Sequence, residues 1–347
     1  MIGCGEAGHE MHLPALALMK EMEIVGACDT DEARRERARK FGAPVFADYR
    51  QMLADAKPEV VIVATPPDFH TEICLDVIAA GSHLICEKPF VPNVEEGLQI
   101  IAAAEKAGRR IALNHEFREM PIFRALLDET RKSPGEKVFF AQLWQNTDVP
   151  PWTEKGWRGA MLRRTLHEAG IHLIDYILAL FGEVPHSAWA SMSAGGQSDS
   201  GSDALVAVSL EFSNGRMAQL VQNRLCKGET HYFEVRADTP SASYRASFGG
   251  RARVTTGLYR SSLPHLRVDY GVSGLAWTER GNKRTLLARN PANPRVVSTR
   301  LVLERSLKAF EDGTRPPATA EDALDSLRVI NACYESAASG VRTRVSA

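Results

Sequence analysis

Side chains suited to chemistry fall in three places. The first is a short apolar run, Leu84-Ile85-Cys86, that ends in Glu87-Lys88-Pro89. Proline has no N–H and cannot extend a ladder, so the strand stops there and leaves Lys88 at its carboxyl end. Ligands of open α/β sheets bind in the crevice beyond such ends, and a lysine there can exchange a proton with a substrate hydroxyl. The second is Gly3-Cys4-Gly5-Glu6-Ala7-Gly8, a G-x-G-x-x-G loop. Gly3 permits the tight turn, Gly5 lets a pyrophosphate approach the main chain, and Gly8 lets the next helix pack on the sheet. Asp29 lies 21 residues beyond Gly8, near the offset of an acid that accepts hydrogen bonds from ribose hydroxyls. The third is Leu166-His167-Glu168-Ala169-Gly170-Ile171-His172-Leu173-Ile174-Asp175. On a regular helix Glu168 and His172 are four apart and His172 and Asp175 three apart, so all three share one face. His167 and His172 are five apart and point in different directions, which rules out an H-E-x-x-H zinc site, and no metal is expected. On residue types alone the His–Asp pair reads first as a satisfied surface or interface pair.

The elements that must position these groups alternate. A helix is expected over Met11–Met19, with Pro14 near its start, then a strand over Glu23–Cys28. Almost nothing precedes Gly3, so the first strand is a stub, or residues are missing before Met1. Asp31–Phe41 reads as a charged amphipathic helix closed by Gly42, and Tyr49–Asp55 as a short one. Val60–Ala64 is a β-branched run, the mark of a strand buried on both faces of a parallel sheet. Helices over Phe69–Ala80 and Val94–Ala107 enclose the Lys88 strand, and Arg110–Leu113 closes the set. Repeated βα units imply right-handed crossovers and a doubly wound sheet.

The pattern changes after residue 116. A helix is expected over Pro121–Thr130, then strands over Val138–Gln145, Ala204–Phe212, Gly215–Gln222 and Tyr232–Ala237. Asn214-Gly215 is a hairpin signal. One or two strands are expected within 240–297, and helices over Val297–Glu311 and Ala320–Ser339. The fold expected is an α/β Rossmann domain, a doubly wound parallel sheet, over 1–116, followed by an α+β domain with a large, mostly antiparallel sheet over 117–347. The last helix packs back on the first domain.

Gly3-x-Gly5-x-x-Gly8 with His12-x-Pro14-Ala15-Leu16, then Ala64-Thr65-Pro66-Pro67-x-x-His70, then Glu87-Lys88-Pro89, resembles the Gfo/Idh/MocA oxidoreductase family in order and interval. So do Gly313-x-x-Pro316-x-Ala318-x-x-Glu321-Asp322-Ala323 and Tyr334-Glu335-Ser336-Ala337-x-Ser339-Gly340. The resemblance implies that Gly3, Gly5, Glu6, Ala7, Gly8, Asp29, Thr65, Pro66, His70, Glu87 and Lys88 hold the cofactor. Its catalytic acid, histidine and following aspartate map onto Glu168, His172 and Asp175, and they act with Lys88. Glu168 stands where Asp is usual, and Met161-Leu162-Arg163-Arg164-Thr165 replaces the family's glycine run. Asn114, His115 and Arg118 resemble its segment at the domain junction. Trp157-Arg158 resembles its Trp-Arg, a pair that suits a polyol or carboxylate by forked hydrogen bonds and stacking. The substrate set is then Lys88, Asn114, His115, Arg118, Trp157, Arg158 and His172.

The activity implied is hydride transfer between a nicotinamide and a hydroxyl carbon of a sugar, inositol or related polyol. NAD is expected over NADP, because the Asp29 carboxylate would repel a 2′-phosphate, although Arg34 and Arg35 lie nearby. The family also implies a homodimer or homotetramer. Two other readings fit the same residues: an NAD-dependent glycosidase of the family, and a non-catalytic nucleotide or sugar sensor. Composition excludes other classes. Lys+Arg is 42 and Asp+Glu 43 in 347 residues, which gives no basic field for nucleic acid or anionic lipid. Six cysteines without C-x-x-C spacing read as small core residues of a reduced compartment. No apolar run spans a bilayer and no signal segment opens the chain, so a cytoplasmic location is expected.

Overall fold

The computed structural model describes residues 1–132, 135–149, 161–195, 202–228, 231–249, 253–257, 265–269 and 274–346. They form two compact units: Met1–Met120 with Arg295–Arg328, and Pro121–Pro294 with Val329–Ala347.

The first unit is built on parallel strands β1 (Ala27–Cys28), β2 (Val45–Phe46), β3 (Val60–Val63), β4 (His83–Cys86) and β5 (Ile111–Leu113). β1 pairs with β2, and β3, β4 and β5 lie in that order, all parallel. Ile2 bridges Cys28 on one side and Val63 on the other, so a single residue joins the two sets. The strand expected over Glu23–Cys28 shrinks to Ala27–Cys28. A ladder is only as long as its neighbours, and here those are the one residue Ile2 and the two of β2.

Helix ends follow the capping rules. Asp31 accepts from the main-chain amide of Arg34 at the start of Glu32–Arg39, and Asn93 from that of Glu96 at the start of Val94–Ala107. Gly108 closes the latter helix at φ 63°. Arg295–Arg328, which holds most of helix Pro294–Asp312 and the first part of helix Ala320–Ser339, belongs to this unit. Leu303 and Phe310 join one face of its core, and Ala323, Leu324 and Leu327 the other. Each such large apolar side chain contributes about 1.5–3 kcal/mol when fully buried. The helix expected over Met11–Met19 is instead a π-turn, Gly8–His12, running into an α-helix, Leu13–Ala17, with Pro14 in its first turn.

The second unit carries a nine-stranded sheet. Its strands are β6 (Phe140–Asn146), β7 (Ser187–Ser193), β8 (Leu205–Glu211), β9 (Met217–Asn223), β10 (His231–Asp238), β11 (Ser243–Gly249), β14 (Leu275–Arg280), β15 (Lys283–Arg289) and β16 (Thr343–Arg344). The order is β15-β14-β11-β10-β6-β9-β8-β7-β16, antiparallel except for β6 beside β9. β12 (Arg253–Gly257) and β13 (His265–Asp269) form a separate hairpin. Among the described residues five strands thus lie in 240–297, where one or two were expected. In β11 the inward residues are Tyr244, Ala246 and Phe248, while Arg245 and Ser247 face outward, so small and charged residues hid the alternation. β7 was not expected at all. Its small residues Ala188 and Ala190 face inward and its bulky Trp189 faces out.

The β8–β9 turn places Asn214 at φ 58° and Gly215 at φ 71°, both left-handed, as a tight hairpin requires. Helices Pro121–Arg131 and Ile171–Phe181 pack through Phe123, Tyr176 and Phe233, with centroids 4.5 to 5.6 Å apart. The Tyr176 hydroxyl donates to the carbonyl of Phe123 at 2.8 Å. Among the described residues no helix is long and apolar enough to cross a membrane.

Candidate active site

The glycine loop separates into two roles. A Cβ on Gly3 would stand 2.5 Å from the carbonyl oxygen of Ala64, and one on Gly8 would stand 2.5 Å from that of Gly3. Gly3 also has φ 92°, a left-handed value. Both are therefore required by the packing of loop on strand. A Cβ on Gly5 would meet nothing closer than Nη1 of Arg34 at 3.9 Å. Gly5 thus leaves an open face on the loop, with the exposed Glu6 and half-buried Ala7 beside it. This is the space that a dinucleotide's pyrophosphate needs, so the residues present fit such a cofactor.

Asp29, at the end of β1, is buried. Its Oδ2 accepts from the amide of Cys4 at 2.8 Å and its Oδ1 from that of Asp31 at 2.9 Å, so it also holds the loop in place. The structure distinguishes the two nearby arginines. Arg35 Nη1 donates to the carbonyls of Asp29 and Thr30 at 2.8 and 2.9 Å. Arg34 Nη1 lies 3.7 Å from Asp29 Oδ2 and projects over the loop.

Thr65 and Pro66 follow β3. His70 is fully buried, with Nε2 2.8 Å from the carbonyl of Thr65 and Nδ1 3.0 Å from that of Phe90. Its ring thus joins the loop after β3 to the loop after β4, and burial lowers its pKa. Glu87 is buried at the end of β4. Its Oε1 lies 2.7 Å from His12 Nε2 and accepts from Asn114 Nδ2 at 2.6 Å, and its Oε2 accepts from the amide of Lys88 at 3.1 Å. Burial alone would raise the Glu87 carboxyl. The hydrogen bond and charge of His12, with Lys88 and Asn114, outweigh it and bring the pKa to about 2. Glu116 is buried too, and there burial, with the charge of Glu87, wins over Lys88 and Arg295 and lifts the pKa to about 7.

Of the expected substrate residues, Asn114 faces Glu87 and His115 is buried. Arg118 Nη1 donates to Asp322 Oδ2 at 3.0 Å and to the carbonyl of Pro317 at 3.1 Å, holding the start of helix Ala320–Ser339 within the first unit. Trp157 and Arg158 lie outside the described residues.

In the second unit the segment expected as one regular helix is a π-turn followed by an α-helix. Leu166–Gly170 is a π-turn, and the α-helix begins at Ile171. Glu168 therefore lies in the π-turn, while His172 and Asp175, both buried, lie three apart on the α-helix that follows. Glu168 Oε2 accepts from Arg164 Nε at 2.7 Å and from Arg224 Nη1 at 3.1 Å. Burial would raise its pKa, but Arg224 and Arg164 together lower it. Arg164 thus fills the segment where the family's glycines are missing.

Sequence reasoning did not assign roles to His12, Arg164, Arg224 or Asp203. His12 stood in a quoted motif, and the four-residue spacing of Arg164 and Glu168 was a usable signal. Asp203, which accepts the main-chain amides of Arg164 and Thr165, and Arg224, which reaches Glu168, carried none, because these partners are distant in the chain. Among the described residues no three His, Cys, Asp or Glu side chains are grouped as a metal ion would require.

Two family profiles match the chain. The NAD-binding Rossmann fold of an oxidoreductase family covers residues 1–115, and that family's C-terminal alpha/beta domain covers 141–345. The D-glucoside 3-dehydrogenase of Escherichia coli (strain K12) is 28% identical over 189 residues, 52% of this chain and 53% of the relative. The scyllo-inositol 2-dehydrogenase (NADP(+)) of Bacillus subtilis (strain 168) is 29% identical over 200 residues, 56% and 54%. The chain thus spans about half the length of these relatives. Among solved structures, an oxidoreductase from Agrobacterium radiobacter in complex with NAD+, L-tartaric acid and magnesium superposes with a TM-score of 0.83. It covers 99% of this chain and 97% of that one at 18% identity, which speaks to the fold. With both profiles matched in order over nearly all of its length, the chain belongs to the Gfo/Idh/MocA oxidoreductase family.

Proposed function

We propose that this protein is a nicotinamide-dependent oxidoreductase that moves hydride between NAD and a hydroxyl carbon of a sugar, inositol or related polyol. The observation that carries the reading is the open face at Gly5, in a loop whose other two glycines are filled by packing, within a chain that ends β4 in Glu87-Lys88-Pro89. Residues 1–116 hold the cofactor and residues 117–347 supply the substrate-binding side. When bound, the nicotinamide supplies the hydride acceptor or donor. Lys88 and His172 handle the hydroxyl proton, with Asp175 holding the His172 tautomer and Glu168 anchoring the turn before it. Trp157 and Arg158 are assigned to the polyol on their resemblance to the family's Trp-Arg segment. The relatives named for glucoside and inositol oxidation favour a cyclic polyol.

Asp29 supports NAD over NADP, since a second anion beside a buried carboxylate is repelled. Titration of the protein with both nucleotides tests this, and tighter NADP binding overturns it. Six cysteines without a disulfide support the cytoplasm as the compartment. Exposed Trp189, Val221 and Leu286 on the large sheet support a homodimer or homotetramer, tested by sedimentation. The activity itself is tested by incubating the protein with NAD or NADP and a panel of sugars and inositols while following reduced-nicotinamide absorbance. Net reduction supports the dehydrogenase, glycoside cleavage without net reduction would indicate the glycosidase, and binding without either would indicate a sensor.

A further inference from the structure

We propose that His12 is a positioning residue for Lys88, acting through Glu87, and that it ties the glycine loop to the proton-handling group. This inference rests on the oxidoreductase reading for its kinetic consequence only. The chain of contacts is short and buried. A carboxylate can only accept, so the 2.7 Å contact requires His12 Nε2 to carry the hydrogen and donate it to Glu87 Oε1. Asn114 Nδ2 donates to the same oxygen at 2.6 Å, from the end of β5. The other oxygen, Oε2, accepts the main-chain N–H of Lys88 at 3.1 Å. One carboxylate is therefore fixed on one side by the turn that begins at Gly8 and on the other by β5, and it holds the peptide from which the Lys88 side chain springs.

Each part of this arrangement has an energetic reason to stay in place. Glu87 and His12 are both buried, at 4% and 0% exposure, and a buried carboxylate that loses a donor keeps its desolvation cost. His12 sits at the last position of the π-turn Gly8–His12. A π-turn is one residue wider than an α-turn, and from its last position the His12 imidazole reaches Glu87. A shift of the turn that carries His12 therefore reaches the Lys88 peptide through two hydrogen bonds, His12 to Glu87 and Glu87 to the Lys88 amide. A displacement of about 1 Å at a reacting group can cost roughly a hundredfold in rate, so the expected effect is on turnover rather than on cofactor affinity.

The test compares His12→Leu with His12→Gln in the full-length protein. Glutamine places an amide N–H near the position of Nε2 and keeps the donor, whereas leucine removes it. The first readout is amide hydrogen exchange of the peptide spanning Cys86–Phe90 in the cofactor-free protein, which needs no activity. His12→Leu should exchange the Lys88 amide about tenfold faster or more, and His12→Gln should restore most of the protection. The second is steady-state kinetics on a substrate verified for the wild type. His12→Leu should lose about tenfold to a hundredfold in kcat with KM and NAD affinity within about threefold, and His12→Gln should recover most of it. Wild-type exchange at Lys88 in folded His12→Leu overturns the proposal, as does equal damage in both variants. If His12→Leu does not fold, His12→Asn, whose amide is too short to reach Glu87, takes its place with the same outcomes. A wild type that oxidises no polyol with either nucleotide refutes the oxidoreductase reading, while the exchange measurement still decides on His12.

Discussion

Tyr334 donates its phenolic hydrogen to Oδ2 of Asp203 at 3.0 Å, across 131 residues of chain. The same carboxylate accepts the main-chain amides of Arg164 at 2.6 Å and Thr165 at 3.2 Å. The Tyr334 ring lies stacked on His167, with centroids 5.5 Å apart. One acid therefore caps the turn that carries Glu168 and fastens it to the last helix. Asp203→Ala should destabilise the protein by about 1–3 kcal/mol, read as a lower urea midpoint. Tyr334→Phe removes only one of the donors and should cost less. Equal losses would mean that the cap to Arg164 and Thr165 contributes little.

Gly5→Val and Gly8→Ala should separate binding from folding. Valine at position 5 enters the open face of the loop, so NAD binding should be lost while the melting temperature barely changes. Alanine at position 8 would drive a Cβ to 2.5 Å from a main-chain oxygen and should cost roughly 1–3 kcal/mol of stability. Fluorescence titration and thermal melting read the two effects. Normal NAD binding by Gly5→Val would remove the cofactor assignment.

Glu116 gives a pH-dependent prediction. Burial first, then the charge of Glu87, raises its pKa from an ordinary 4.5 to about 7, against Lys88 and Arg295. Between those values the folded protein keeps a proton that the unfolded chain has released, so this group makes stability fall as pH rises through the window. Glu116→Gln cannot ionise. Its stability relative to wild type should therefore improve steadily from pH 4.5 to 7 and level off above. Denaturation midpoints at several pH values check this, and a difference independent of pH refutes it.

On the proposed mechanism, Lys88→Met and His172→Ala should each reduce turnover by roughly a hundredfold or more, since each would remove proton-transfer assistance. If both groups serve one proton, the double variant should be little worse than either single one. NAD affinity should change modestly in all three. Fully multiplicative losses would assign the two residues to separate steps, and normal turnover in Lys88→Met would remove it from the chemistry.

Some of this was legible in the residues because the governing physics is local. The β-branched run Val60–Val63, the capped helix Val94–Ala107 and the glycine spacing each carry their own signal, and each stands where expected. The π-turns at Gly8–His12 and Leu166–Gly170 were not legible. A shift of one residue in hydrogen bonding leaves no mark in residue type, yet it sets the backbone that carries His12 and Glu168. Nor was the contact of Arg118 with Asp322, more than 200 residues away. β7 was missed because Trp189, its one bulky residue, faces outward.

The first unit is discontinuous: Met1–Met120 needs Arg295–Arg328 to cover its core. During synthesis the five strands would therefore leave the ribosome long before Leu303, Phe310, Leu324 and Leu327 exist to close over them. At ~5–20 residues per second, the roughly 200 residues in between leave an interval on the order of tens of seconds. Throughout it the nascent nucleotide-binding half exposes an apolar flank, a target for a chaperone or for a neighbouring chain on the same polysome. A gene fragment cut after the last strand of that half would carry the same flank permanently.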